Sequence, residues 1–240
     1  MRCALIHGFT GDPANWDEVI DNWQLPQEPQ PIALPGHGVA GGPVLEGWEA
    51  NLELVGRAID GCECVVGYSL GARVALGLVA TGRAAFGVLI GVNPGINELE
   101  RRDRRRFDAT WARMLRTDGL DKFVAAWEQQ PLFASQKRVS IERRLERRAR
   151  RYRLDPELLA QSLEQMGLGA MPDYWSAVPA HRDRLALITG ADDAKYCAIA
   201  NGLPAKLKET VAESGHDPTL EQPELLAAAI ARSVVVLTTE

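Results

Sequence analysis

The chain has 240 residues, of which 46% are hydrophobic and 25% charged, and its formal net charge is −5. This length and composition suit one sizeable globular core, and the acidic balance disfavours non-specific binding of nucleic acid. No apolar run approaches the ~20 residues that a membrane-spanning helix needs. The opening residues MRCALIHGFT also turn polar too soon for a secretory signal. We therefore expect a cytoplasmic protein without membrane insertion.

The first residues begin an alternation of short apolar runs and helical patterns, which is typical of βαβ units around a mainly parallel sheet. The predicted strands cover residues 3–6, 31–34, 64–67, 87–92 and 185–189, with a sixth near 208–211. The predicted helices of this part cover residues 16–23, 48–61, 70–81 and 223–236. The sequence thus predicts an α/β fold with a mainly parallel sheet flanked by helices.

The alternation stops between residues 94 and 178, where helices are predicted at 100–116, 141–153 and 156–166. Residues 100–153 hold 17 of the 27 Lys and Arg residues against eight Asp and Glu. We predict a core of residues 1–93 and 179–240 and a basic helical cap, or lid, of residues 94–178. In open α/β folds, a cap over the carboxyl edge of the sheet covers the ligand site. A solvated helical appendage would give the same pattern, and the charge alone does not separate the two.

The cysteines are four in number and have no zinc-ligand spacing. Cys62 and Cys64 alternate like residues on opposite faces of a strand, and the other two are Cys3 and Cys197. We interpret all four as reduced thiols in a cytosolic protein rather than as a disulfide framework. No metal site and no cofactor is expected.

The pentapeptide GYSLG places Ser69 between a predicted strand and a predicted helix. This is the pattern of a nucleophile elbow, a sharp strand-to-helix turn that exposes the serine at its corner. Gly67 and Gly71 fit it, because side chains there would clash as the strand and the helix approach each other. The pattern favours a catalytic serine over a structural turn.

An activated serine needs a base and an acid that orients the base, which follow it in this fold in the order acid, then histidine. His216 is the predicted base because Gly215 permits a tight loop, whereas His181 has no turn glycine beside it. Asp192 and Asp193 both follow the strand LALITG, and the spacing from the glycine of this strand favours Asp193 as the acid.

Oxyanion donors are expected in two places. One is the backbone N–H of Leu70, directly after the serine, and the other is that of Phe9 in the loop HGFT. His7 and Gly8 precede Phe9 and should let the backbone approach the substrate closely. We therefore count both among the predicted substrate-binding residues.

These motifs together resemble the α/β-hydrolase superfamily and, within it, the menaquinone-pathway 2-succinyl-6-hydroxy-2,4-cyclohexadiene-1-carboxylate synthases. HGFTG, LPGHG, GYSLG and SGH are general to the superfamily. GYSLGAR, RRRFD, WEQQPLFASQ, LDPELLAQSLEQMGLG and GADDAKY resemble the synthases, and the similarity covers nearly the whole chain. The resemblance implies a lyase that eliminates pyruvate from a small, carboxylate-rich substrate. It leaves open a serine esterase, thioesterase or C–C hydrolase, and a binding module without catalysis.

The resemblance also implies roles for individual residues. Ser69, Asp193 and His216 match the triad of the family. Arg73, Arg104 and Arg151 match arginines that bind the acidic substrate, with Arg105 as the alternative to Arg104, and Trp127 matches a tryptophan near the pocket. Arginine suits this task because its planar guanidinium binds a carboxylate through paired hydrogen bonds.

Overall fold

A six-stranded parallel sheet forms the centre of the computed structural model, which describes residues 1–38 and 42–239. Its strands are β1 (Cys3–Ile6), β2 (Gln30–Ile32), β3 (Cys64–Tyr68), β4 (Phe86–Ile90), β5 (Leu185–Gly190) and β6 (Leu207–Val211). They lie in the order β2-β1-β3-β4-β5-β6, so the strand order reverses at β1. The loops after β1 and β3 therefore meet at the carboxyl edge beside a topological switch point, where ligands bind in such sheets.

Eleven α-helices are present among the described residues. They are α1 (Asp17–Asp21), α2 (Trp48–Ala58), α3 (Leu70–Ala80), α4 (Glu98–Thr117), α5 (Gly119–Glu128), α6 (Ile141–Arg151), α7 (Pro156–Met166), α8 (Val178–His181), α9 (Ala194–Gly202), α10 (Pro218–Glu221) and α11 (Pro223–Thr238). Side chains of α2 and α3 fill one apolar cluster and those of α1 and α11 another. Because successive side chains of a strand point to opposite faces, the two clusters cover the two faces of the sheet. This architecture confirms the predicted fold class.

The central strands are apolar along their whole length because both of their faces are covered. Every residue of β1, β3 and β5 is buried, whereas the edge strand β6 alternates between partly buried and exposed positions and is buried only at Val211. β2 is shorter than predicted and ends at Ile32. Leu34 lies outside it, and its N–H donates to Nε2 of His7 instead of to a neighbouring strand.

Helices α4 to α7 lie between β4 and β5, and we call residues 94–178 the insertion. The insertion has an apolar cluster of its own around Leu115, Phe123 and Leu159, while Met166 and Met171 belong to the cluster on the sheet. It is therefore packed against the sheet and its helices, in contrast to a solvated appendage. The predicted limits of the core and the cap stay a prediction.

The basic charge of the insertion is largely used in ion pairs. Four of its arginines pair with acids of the rest of the chain: Arg138 with Asp192, Arg143 with Glu18, Arg147 with Asp217 and Arg150 with Asp17. Inside the insertion, Arg116 binds Glu157 and Glu164. Ion pairs therefore connect the basic insertion to the acidic remainder of the chain.

No helix in the described ranges has both the length and the apolar character to cross a bilayer.

Candidate active site

Ser69 lies at the corner between β3 and α3 with φ 53° and ψ −108°, in a region that residues other than glycine seldom adopt. A Cβ atom at Gly67 would overlap the carbonyl of Gly71, and one at Gly71 would overlap the carbonyl of Ile6. The turn is fixed by the N–H of Ser69, which donates to the carbonyl of Ile90 over 2.9 Å. Glycine at these two positions is thus what lets the strand and the helix approach closely enough to strain the serine.

The structure brings Ser69, His216 and Asp193 into one hydrogen-bonded row. Nε2 of His216 lies 3.1 Å from Oγ of Ser69, and Nδ1 lies 2.6 Å from Oδ2 of Asp193. Oδ1 of Asp193 accepts the N–H of Tyr196 at the start of α9, which fixes the carboxylate. Asp192 instead lies at the surface, paired with Arg138. With Nδ1–H donating to Asp193, Nε2 is free to accept the serine proton.

The imidazole of His216 is enclosed on several sides. The backbone of Gly91, at φ 60°, lies close to the ring, and a Cβ atom at this position would be only 3.0 Å from it. The rings of Tyr196 and Tyr68 lie 4.3 and 5.5 Å from it, centroid to centroid. These walls hold the ring in the plane that joins Ser69 to Asp193.

The loop after β1 lies directly beside the serine. A Cβ at Gly8 would be 2.8 Å from the ring of Tyr68 and 3.4 Å from Cβ of Ser69, so glycine permits this approach. Phe9 follows and lines the cavity described below. Leu70 begins α3, and the N–H groups of a first helical turn have no acceptor within the helix. The backbone at both positions therefore flanks Ser69.

His7 does not contribute its side chain to the cavity, and its predicted role in binding substrate stays a prediction. It is fully buried, its Nδ1 bonds the carbonyl of Gly8 over 2.8 Å, and its Nε2 accepts from Leu34. Burial lowers the pKa of His7 to about 4, so the ring is neutral at pH 7. His7 and Gly8 thus shape the loop that carries Phe9, and neither lines the cavity.

A cavity of about 1200 Å³ opens above Ser69, between the sheet and the insertion. Trp127 of α5 lines it and packs against Phe9, with the ring centroids 5.1 Å apart. Phe107 and Met166 of the insertion form other parts of the wall. The insertion therefore covers the carboxyl edge of the sheet at the serine.

Arg73 is a half-buried cation in the wall of this cavity. Its Nη1 donates to the carbonyl of Met166 over 3.3 Å and lies 3.9 Å from the sulfur of Met171. No carboxylate within residues 1–38 and 42–239 comes within 4.0 Å of its guanidinium. Burial, with repulsion from Arg104, lowers the pKa of Arg73 to about 10. Arg73 is therefore charged at pH 7 and lacks a carboxylate partner among the described residues.

Arg104 also lines the cavity, whereas Arg105 does not. Nε of Arg104 donates to both carboxylate oxygens of buried Asp108, over 2.9 and 3.1 Å. Arg105 is exposed, and its Nε donates to the carbonyl of Gly169. Between the two alternatives from the sequence, the geometry favours Arg104.

Arg151 is not among the residues that line the cavity, and its role in binding substrate stays a prediction. It is buried, with Nη1 2.6 Å from Oε1 of Glu128 and Nε 3.3 Å from Oγ1 of Thr10. Glu128 of α5, whose other carboxylate oxygen binds Arg148, is thus the acid partner of this guanidinium. Polar residues of the cavity that the sequence did not predict include Arg138, Lys195 and Tyr196. Lys195 and Tyr196 lie in the first turn of α9, two and three residues after Asp193, and this position was the available signal.

Comparison with known proteins places this geometry in a family. A model of the alpha/beta hydrolase family matches residues 4–229. The chain belongs to this family. A curated relative, the 2-succinyl-6-hydroxy-2,4-cyclohexadiene-1-carboxylate synthase of Enterobacter sp. strain 638, is 31% identical, and the match covers 95% of this chain and 90% of the relative.

Solved structures agree with this assignment. The structure of MenH from S. aureus has a TM-score of 0.90 at 27% identity, covering 100% of this chain and 95% of that one. A thermophilic esterase from Thermogutta terrifontis, with malate bound, has a TM-score of 0.76 at 22% identity over 100% of this chain and 91% of that one. The esterase shows the shared fold alone. The resemblance stated from the sequence motifs is confirmed.

Proposed function

We propose that the chain eliminates pyruvate from 2-succinyl-5-enolpyruvyl-6-hydroxy-3-cyclohexene-1-carboxylate. The product is 2-succinyl-6-hydroxy-2,4-cyclohexadiene-1-carboxylate, the compound named in its curated relative. The observation that carries the proposal is one cavity holding both the Ser69–His216–Asp193 row and Arg73, a cation with no carboxylate partner among the described residues. A small substrate rich in carboxylates would supply the missing anion.

In the proposed reaction Ser69 removes a ring proton while His216 takes the proton of its hydroxyl. The electrons of the broken C–H bond form a new ring double bond, and the C–O bond to the enolpyruvyl group breaks. The departing enolpyruvate takes up a proton equivalent to the one that His216 received, which restores the starting state of the row, and leaves as pyruvate. The 3.1 Å between Oγ of Ser69 and Nε2 of His216 supports this role, because a proton passes over such a distance directly. Ser69 forms no bond to carbon in this scheme.

Negative charge develops on the substrate as the ring proton leaves. The N–H groups of Phe9 and Leu70 are proposed to stabilise it, since both flank Ser69. Arg73 and Arg104 are proposed to bind carboxylates and thereby hold the ring against the serine. Arg104 already forms an ion pair with Asp108, so Arg73 should contribute more than Arg104 to substrate binding.

A serine hydrolase is the second candidate, because the same row of side chains activates serine for acyl transfer on this fold. The guanidinium of Arg73 disfavours it, since this cation has no carboxylate partner among residues 1–38 and 42–239 and a neutral ester offers no charge to match. A binding module without catalysis is disfavoured by the hydrogen bonds that connect all three triad residues. We also propose a cytoplasmic location, which the four free thiols support.

The test measures pyruvate released from the enolpyruvyl substrate, with a panel of acyl esters assayed beside it. We expect stoichiometric pyruvate from the wild type, loss of release in Ser69→Ala, and slow turnover of the esters. A burst of alcohol release from activated esters without any pyruvate would instead assign the site to a hydrolase.

A further inference from the structure

A buried ion pair connects the insertion to the loop that carries His216. Arg147 of α6 is 3% exposed and Asp217, the residue after His216, is 2% exposed. Nη1 of Arg147 lies 3.2 Å from Oδ2 of Asp217. Neither residue lines the cavity, so neither is available to bind substrate.

The pair is part of a network that holds the loop from two sides. Oγ1 of Thr219 accepts from Nη2 of Arg147 over 3.4 Å and donates to Oδ1 of Asp217. From the other side, the carboxylate of Glu221 accepts the N–H groups of Gly215 and Asp217, over 2.8 and 3.3 Å. The backbone on both sides of His216 is thereby fixed.

This pair differs from the other contacts of its kind. Of the ion pairs that join the insertion to the core in residues 1–38 and 42–239, only Arg147–Asp217 has both side chains below one-tenth exposed. The pair Arg143–Glu18, on the same helix, has side chains 32% and 48% exposed. Exposed pairs contribute little, whereas removing one partner of a buried pair leaves an uncompensated charge in the interior.

We propose that Arg147 is a positioning residue for His216, acting through Asp217, so that docking of helix α6 aligns the histidine with Ser69 and Asp193. The proposal rests on the proposed function in taking His216 as the base. It assigns the insertion a second task besides covering the cavity. The buried side chain of Arg147 makes the geometry of the triad depend on where α6 sits.

The charges of the pair give the proposal a signature in the titration of His216. The imidazole itself contacts Ser69 and Asp193 through hydrogen bonds and the rings of Tyr68 and Tyr196. The charged groups that bind the loop carrying it are Asp217, Glu221 and Arg147. Arg147→Met leaves the carboxylate of Asp217, the residue next to His216 in the chain, without its partner, and an uncompensated negative charge favours the imidazolium form. Asp217→Asn leaves the Arg147 cation, which disfavours the imidazolium form. The two variants therefore shift His216 in opposite directions.

The experiment follows the histidine signals of the protein by NMR from pH 5 to pH 9, together with kcat for pyruvate release. The chain has only four histidines, and His216→Gln identifies the signal. We expect opposite shifts in the two single variants, a near wild-type value in Arg147→Met/Asp217→Asn, and kcat about 10- to 100-fold lower in Arg147→Met with KM nearly unchanged. Arg143→Met is the matched control, which should keep both the titration and kcat.

Unaltered titration and kcat in both folded single variants would overturn the proposal, as would an equal loss of kcat in Arg143→Met. Thermal melting establishes which variants are folded. If Arg147→Met does not fold, Asp217→Asn and Arg147→Lys carry the same test, with partial retention of kcat expected in Arg147→Lys. The titration needs no substrate. Shifted His216 signals in a protein that releases no pyruvate would therefore refute the proposed function and leave the positioning role standing.

Discussion

Replacing Arg73 by methionine should make the protein more stable and less active. The pKa of Arg73 is lowered to about 10 by burial and by repulsion from Arg104. Against an ordinary arginine pKa of ~12.5, and at 1.36 kcal/mol per pH unit, the folded state disfavours this charge by about 3 kcal/mol. Methionine removes that cost but also loses the hydrogen bond to Met166, worth about 1 kcal/mol. We expect the free energy of unfolding to rise by roughly 1–2 kcal/mol.

The same substitution should lower kcat/KM for the enolpyruvyl substrate. A hydrogen bond between charged partners contributes about 1.5–3 kcal/mol, which corresponds to a loss of about 10- to 150-fold. Urea unfolding measures the stability, and pyruvate release measures the activity. Arg105→Met is the control, because it removes a guanidinium that lies outside the cavity.

Two results would refute this reasoning for Arg73. Activity within twofold of the wild type would mean that the cation does not meet the substrate. A loss of stability together with activity would mean that Arg73 is a structural residue, whose hydrogen bonds outweigh the cost of its burial. Arg105→Met should change neither quantity by more than a small amount.

Three further substitutions test other parts of the account. Gly71→Ala should destabilise the elbow by about 3 kcal/mol or more, since its Cβ would overlap the carbonyl of Ile6. Gly202→Ala, where a Cβ meets nothing within 4 Å, should be neutral in the same urea titration. Arg104→Met should raise KM and lower kcat/KM less than Arg73→Met does. An equal or larger loss of kcat/KM would contradict the proposal that Arg73 contributes more than Arg104 to substrate binding.

Burial, with His7 nearby, lowers the pKa of His37 to about 3, so the unfolded chain binds a proton there below about pH 6.5 that the folded chain does not. The free energy of unfolding therefore decreases as the pH falls from about 6.5 towards 3. His37→Asn should make the decline between pH 6 and 4 shallower by about 1.4 kcal/mol per pH unit in urea titrations. An unchanged slope would contradict a neutral buried His37.

The parts of the fold set by local chemistry follow from the sequence. The elbow is predictable because Gly67 and Gly71 bracket a serine between an apolar strand and a helix, and the cost of any side chain there is local. The spacing after β5 predicts Asp193 as the acid. In the structure Oδ2 of Asp193 lies 2.6 Å from Nδ1 of His216, and its catalytic role stays a prediction.

Contacts between distant residues explain what the sequence did not predict. Arg151 lies outside the cavity because its guanidinium donates to the carboxylate of Glu128. Glu128 is 23 positions away, on helix α5, which was not predicted. β2 ends at Ile32, before its predicted end, because the N–H of Leu34 donates to Nε2 of His7, 27 positions away. No local sequence pattern indicates which of the many arginines pairs with which acid. The contact between Arg147 and Asp217 could therefore not be predicted from the sequence either.

The central claim is that Ser69 and His216 remove a ring proton and thereby release pyruvate. Its most direct test is pyruvate release in single turnovers of the enolpyruvyl substrate, with and without deuterium at the ring carbon that loses the proton. The account predicts slower release from the deuterated substrate, no mass added to the protein during turnover, and no release by Ser69→Ala. Equal rates for both substrates together with a covalent adduct on Ser69 would contradict it.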